Sequence, residues 1–333
     1  MDKMNSHPSR FPSACYWLGL ALLGLVLLTP ARADAPADLP ATCYIFCYFM
    51  EPNGVDGLHL AWSRDGLKWE ELNGGKGYLK PTVGKDKLMR DPCLLLGPDN
   101  VFRLVWTDSW KDQSIGYASS KDLITWSDEK ELPVMAYEPT TQNAWAPEVH
   151  YDAANQQYLI FWSSTIPGKF PETENSGDAN HRFYVTTTKD FDTYTPTTLL
   201  YDPGFNCIDA TVLQVEAKFY LIFKNETKLP TPQKNLWLAT SDNMAGPYSP
   251  PIGPIKTEPD SWVEGPTAIK IGDDYIIYYD CYRAHHFGAI KSKDMQNWED
   301  ITSQLSMPKG IRHGTVIAVP SSVVANLLQA ASN

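Results

Sequence analysis

Five short polar phrases stand out for the chemistry they could do: Arg90-Asp91-Pro92, Trp145-Ala146-Pro147-Glu148, Ile208-Asp209-Ala210, Glu264-Gly265-Pro266 and Arg312-His313-Gly314. The successive intervals from Asp91 through Glu148, Asp209 and Glu264 to His313 are 57, 61, 55 and 49 residues. Each phrase opens a run of β-branched and apolar residues. A single Asp in such a place is ordinarily a turn residue that satisfies backbone N–H groups. Four acids at a recurring interval ask for another reason, because like charges brought together destabilise a fold. Clustered carboxylates also push one another's proton affinities apart. One can then hold a proton at neutral pH while another stays ionised, which is the condition for general acid–base chemistry.

The elements that must position these residues form an internal repeat. Ser63, Asp65 and Trp69 make an S-x-D-x-x-x-W pattern that returns as Ser120, Asp122 and Trp126 and as Ser292, Asp294 and Trp298. Thr188, Asp190 and Tyr194 are a softened copy, and Ser241-Asp242 followed by Tyr248 is a distorted one. The closing aromatics are 57, 68, 54 and 50 residues apart, about the length of a four-stranded sheet with its turns. Between them lie strand-like runs such as Phe102 to Thr107, Tyr158 to Ser163, Phe219 to Lys224 and Tyr275 to Asp280. Helical periodicity is confined to 321–331. Five such repeats predict an all-β fold, a single five-bladed β-propeller, in which radial repetition leaves only short sheet edges. A two-sheet sandwich would not account for a repeat of this length. The first strands, from Tyr44 and Leu58, lack an inner partner, while Gly314 to Val319 is an inner strand without followers. The two ends of the chain are therefore expected to share one blade. Inner strands of a propeller run parallel around its axis, so the five phrases converge on one mouth.

Composition narrows the partners. The 333 residues carry 28 Lys plus Arg against 39 Asp plus Glu, a net charge of −11, which repels a phosphate backbone and argues against nucleic acid. Lys3 and Arg10 precede an apolar run from Tyr16 to Leu28, followed by Ala31-Arg32-Ala33, the arrangement of a signal peptide over residues 1–33. The run is too short to span a bilayer of ~30 Å as a helix, so no membrane span is expected in the mature chain. That chain, residues 34–333, is expected to be the propeller domain, secreted or periplasmic. It keeps Cys43, Cys47, Cys93, Cys207 and Cys281, an odd set without zinc-site spacing. Buried free thiols are expected, with one disulfide left open as the alternative.

The five phrases, in this order, resemble the signatures of family 43 glycoside hydrolases, and the resemblance runs from about Tyr44 to Val319. The phrase Ser120-Lys121-Asp122-Leu123-Ile124-Thr125-Trp126 belongs to the same likeness. The resemblance implies that Asp91 is a general base activating water, Glu264 the general acid on the leaving oxygen, and Asp209 the residue that orients the acid and tunes its pKa. It implies inversion at the anomeric carbon, which requires about 6.5–9.5 Å between base and acid. His313 resembles a central histidine that in many members helps hold a calcium ion or a water on the axis. An imidazole is a poor sole ligand for such a hard cation, so waters would have to complete its shell. No cofactor is otherwise expected. Arg312 would face the sugar or a carboxylate, and Glu148 would bind sugar hydroxyls or support His313. Trp145, Trp110 and Trp262 are candidate stacking platforms, with core packing as the alternative for each.

Three other readings are weaker. Glu51-Pro52-Asn53-Gly54 loosely resembles the nucleophile signature of the invertase-like propellers, but it falls where a hairpin turn belongs, and no Glu-Cys pair occupies the acid position. A phosphorylase would need clustered basic residues, which Arg90, Arg283 and Arg312 do not obviously form. A sugar-binding propeller without turnover would be favoured by a missing carboxylate, and all three are present. The expectation is an inverting exo-glycosidase releasing terminal furanose or pentose units from an oligosaccharide or polysaccharide. α-L-Arabinofuranosidase comes first, then β-D-galactofuranosidase, β-xylosidase and exo-galactanase. The insertion 166–182 and the pair His285 and His286 are expected near the substrate mouth.

Overall fold

The computed structural model describes residues 39–177 and 179–331, so the expected signal peptide lies outside the described residues. β1 (Thr42–Met50), β2 (His59–Ser63) and β3 (Trp69–Glu71) form the outer three strands of one sheet. The next sheet is β4 (Arg90–Leu96), β5 (Phe102–Thr107), β6 (Ile115–Ser120) and β7 (Lys130–Leu132). It is followed by β8 (Trp145–Asp152), β9 (Gln157–Thr165), β10 (His181–Thr188) and β11 (Thr198–Tyr201). Then come β12 (Cys207–Val215), β13 (Lys218–Asn225) and β14 (Asn235–Ser241), and β15 (Glu264–Ile271), β16 (Asp274–Cys281), β17 (His286–Ser292) and β18 (Glu299–Asp300). Finally β19 (Ile311–Pro320) returns to pair with β1, Cys43 opposite Val319 and Tyr48 opposite Gly314. These five antiparallel sheets make a five-bladed β-propeller, closed as expected by the two ends of the chain. The inner strands β4, β8, β12, β15 and β19 each touch the next around the ring.

The repeat that revealed the blades has a local cause. Ser63 Oγ accepts the N–H groups of Asp65 and Gly66, while Asp65 Oδ1 accepts those of Leu67 and Lys68. The same net recurs at Ser120 with Asp122, and Thr188 with Asp190 substitutes a threonine hydroxyl. A Ser or Thr two residues before an Asp thus satisfies four turn donors, and the following aromatic packs the blade edge. The third blade departs from expectation, having three strands and only an isolated bridge from Leu238 to Ile252 at its outer edge. Pro250, Pro251 and Pro254 lack the N–H groups that a fourth strand would need.

Aromatic residues on the second strands fill the space between blades. Trp106 and Trp162 are fully buried, and truncating one such side chain to Ala costs roughly 3–5 kcal/mol. Trp106 lies so close to Gly116 that a Cβ there would stand 2.0 Å from the indole, so this blade requires glycine at 116. α1 (Ser321–Ala331) seals the end of β19 by burying Val324 and Leu327 against the cluster that holds Cys43 and Leu58. The five cysteines among the described residues are all buried and free, in line with the bland expectation.

Candidate active site

The starts of the inner strands share one irregularity. In β4, β8, β12 and β15 the register slips by one residue, and the slipping residue takes a left-handed backbone: Asp91 (φ 50), Ala146 (φ 48), Asp209 (φ 53) and Gly265 (φ 56). These bulges aim side chains at the axis instead of along the ladder. The signature acids are therefore staggered, contrary to the expectation of equivalent positions. Asp91 and Asp209 occupy the bulge itself, Glu264 precedes it, and Glu148 lies two residues beyond the corresponding Ala146. At Gly265 only glycine fits, because a Cβ would meet His313 Cγ at 2.4 Å.

A cavity of about 170 Å³ opens at this mouth, walled by Asp91, Asp209, Glu264 and His313 together with Arg90, Thr107, Trp110, Trp145, Ile208, Lys224 and Glu226. Asp91 accepts a hydrogen bond from Thr107 Oγ1 at 3.0 Å and faces His313 Nδ1 at 3.3 Å. Asp209 accepts the Gly265 N–H at 3.1 Å and stands 3.9 Å from the same imidazole nitrogen. Glu264 meets Lys224 Nζ at 2.9 Å and Arg312 at 3.5 Å. Lys224 also contacts Glu226 at 2.7 Å, and Glu226 pairs in turn with Lys234. Behind Arg312 lies buried Asp280, at 3.0 Å from its Nε.

Burial and charge sort these groups by protonation. Burial pushes Asp91 up, but the bond and charge of His313, with Arg90 and Thr107, outweigh it and hold the carboxyl below its usual range. Asp209 goes the other way: burial dominates and lifts it to about 6, against the pull of His313 and Lys224. Burial likewise lifts Asp280 to about 7. Burial alone would lower His313, yet Asp209 and Asp91 raise it to about 9, so it is an imidazolium at neutral pH. Lys224 is held well above its usual value because Glu264, Glu226 and Asp209 outweigh its burial. Asp91 is thus held ionised, while Asp209, facing the same imidazole, titrates near neutrality.

The other expected residues fall on both sides of the cavity wall. Trp110 and Trp145 line it, their rings edge to face at 5.7 Å, and the Trp145 indole donates to the carbonyls of Ser109 and Trp110. Arg312 contacts Glu264 and does not line the cavity. Trp262 stacks under Arg283 at 3.1 Å and does not line it. Glu148 is likewise outside: its carboxylate takes the Thr211 hydroxyl at 2.8 Å and meets His150 Nε2 at 2.7 Å farther down the channel. His313 Nδ1 faces Asp91 and Asp209, so only its Nε2 could meet an ion on the axis, and waters would have to complete the shell. Among the described residues no three or more His, Cys, Asp or Glu side chains gather as ligands. The insertion 166–182 stands at the same mouth. Buried Arg182 bonds Thr173 at 2.8 Å, and Ser176 O accepts the N–H groups of Lys228 and Leu229.

Thr107, Lys224, Glu226 and Asp280 carry no motif. Thr107, Lys224 and Asp280 are the cross-strand partners of Arg90, Ile208 and Glu264. A register count along each hairpin is the signal that could have found them.

The glycosyl hydrolase 43-related family model, described as "Probable glycosyl hydrolase domain", matches residues 40–323. The chain belongs to this family. An α-L-arabinofuranosidase of Bifidobacterium longum subsp. longum is 25% identical over 246 residues, covering 56% of this chain and 23% of that protein. The chain thus spans about a quarter of the length of that curated relative. A thermostable family-43 glycoside hydrolase superposes with a TM-score of 0.49 at 19% identity, covering 64% of this chain and 71% of that one. An α-L-arabinofuranosidase from Lactobacillus brevis gives 0.49 at 18%, covering 64% and 72%.

Proposed function

We propose that this chain is an O-glycosyl hydrolase of the inverting, exo-acting kind, removing one terminal furanose or pentose unit at a time. The observation that carries the reading is the cavity of about 170 Å³ on which Asp91, Asp209 and Glu264 converge. A cavity of this size, walled by these side chains, suits one terminal sugar at a time. Trp110 and Trp145 offer it apolar faces, and Arg90 a fixed guanidinium held between Phe49 and Trp110 and tied to Glu51.

In this mechanism Asp91, ionised and fixed by Thr107 and His313, takes a proton from a water as that water attacks the anomeric carbon. Glu264 gives its proton to the glycosidic oxygen as the carbon–oxygen bond breaks, so one proton is gained and one lost across the pair. Lys224 and Arg312 hold the Glu264 carboxyl in place, and Asp209 sets the local charge. α-L-Arabinofuranose is the first glycone to test. β-D-Galactofuranose, β-D-xylose and galactan ends follow, because specificity lies in rim residues and not in the carboxylates. Turnover of nitrophenyl α-L-arabinofuranoside, β-D-galactofuranoside and β-D-xyloside by the purified protein tests the reading. Binding without cleavage of any glycoside, natural oligosaccharides included, would make it a sugar-binding propeller.

The reading includes export. Removal of residues 1–33 would deliver the chain to the periplasm or the exterior, where polymeric saccharides are met. N-terminal sequencing of the protein recovered from culture tests this, with a start near Asp34 expected and an intact Met1 contradicting it.

A further inference from the structure

A second, larger cavity, about 410 Å³, lies between the fourth blade and the closing blade, lined among others by His285, His286, Met307, Pro308, Lys309 and Ile311. It opens on the same mouth as the catalytic cavity. β15 begins at Glu264, which pairs with Asp280 at the end of β16, and Asp280 pairs with Phe287 at the start of β17, a further lining residue. Two strand spacings put this wall on the order of 10 Å from the Glu264 backbone. On its other side Ile311 directly precedes Arg312, whose guanidinium is 3.5 Å from Glu264. The groove therefore starts on the side of the site that holds Glu264.

We propose that this groove binds the leaving part of the saccharide, the sugar units beyond the bond being cut. The proposal rests on Glu264 as proton donor, because the donor protonates the leaving oxygen and the leaving chain must depart on its side. The chemistry of the lining suits a sugar chain. His285, His286 and Lys309 are exposed and present ring nitrogens and an ammonium to hydroxyls, while Met307 and Pro308 present apolar surface to the C–H faces of the rings. The groove thus makes the enzyme prefer a terminal sugar attached to a chain over the same sugar on a small aglycone. None of its side chains touches the carboxylates, so it can be altered without disturbing the reacting groups.

The test is the double variant His286→Ala with Lys309→Ala, assayed on nitrophenyl α-L-arabinofuranoside and on arabinotriose. The expected result is kcat/KM within about two-fold of the parent on the aryl glycoside, and about ten-fold lower on arabinotriose through KM, as for the loss of one or two hydrogen bonds. Equal losses on both substrates, or no loss on either, overturn the proposal. Calorimetric titration of arabinotriose into parent and variant needs no turnover. A parent that cleaves neither substrate rules out arabinofuranose as the glycone; the same comparison is then run on the nitrophenyl glycoside it does cleave and the matching trisaccharide, a loss confined to the trisaccharide supporting the groove and equal or absent losses overturning it.

Discussion

His313→Gln isolates the charge at the heart of the site. His313 lies between Asp91 and Asp209 and is raised from 6.5 to about 9, despite burial, by those two carboxylates. The folded chain therefore binds this proton more tightly than the unfolded chain. Stability from the pair is complete below about pH 6.5 and is lost as pH rises through about 9. A shift of this size corresponds to roughly 3 kcal/mol at 1.36 kcal/mol per pH unit. Glutamine keeps a polar side chain but has no proton to lose. Packing and hydrogen-bond losses are the same at every pH, so the informative quantity is how the gap between parent and variant changes. Asp209 and Asp280, at about 6 and about 7, are largely ionised at the upper end of the range. Between pH 7.5 and 10 the gap should close by about 2 kcal/mol. Urea unfolding followed by tryptophan fluorescence at pH 7.5, 8.5 and 10 measures it. A gap constant to within about 0.5 kcal/mol would refute the imidazolium and the charge arrangement built on it.

Asp91→Asn and Glu264→Gln should each lower kcat/KM by about 10²–10⁴ with unchanged far-UV circular dichroism; normal activity in Glu264→Gln would remove the acid assignment. Asp209, titrating at about 6, should set the acid limb of the pH–rate profile. Asp209→Asn should lower the rate and move that limb to lower pH, and an unmoved limb contradicts the role. Lys224→Met leaves Glu226 and Glu264 without their shared ammonium and should cost roughly 3–5 kcal/mol in chemical denaturation, whereas a variant as stable as the parent denies the pairing. A chain ending before His313 strips β1 of its inner partner and should show no cooperative melt.

The architecture was legible because its cause is local. The hydroxyl and carboxylate of Ser63 with Asp65, Ser120 with Asp122 and Thr188 with Asp190 satisfy the same four turn donors, and Ser292 with Asp294 three of them, so nearly the same letters return in four of the five blades. The closing blade was legible for a complementary reason: β1 and β2 had no inner strand before them, and β19 had no followers. The third blade lost its outer strand to Pro250, Pro251 and Pro254, a departure readable only after the blade boundaries are known. Asp91, Asp209 and Glu264 stood in phrases, and all three line the cavity. Glu148 stood in a phrase as well, but a one-residue bulge before it sends its carboxylate to Thr211 and His150 instead of the cavity. Lys224 and Asp280 stayed hidden because each is one polar letter at the end of a core strand, and its meaning comes from the strand opposite.

The central claim, that Asp91 activates water against a sugar protonated by Glu264, is tested most directly by proton NMR of the first product from whichever nitrophenyl glycoside is cleaved, recorded before mutarotation. The account predicts a sugar whose anomeric configuration is opposite to that of the substrate. A first product with retained configuration would contradict it, because one carboxylate would then have attacked the sugar itself.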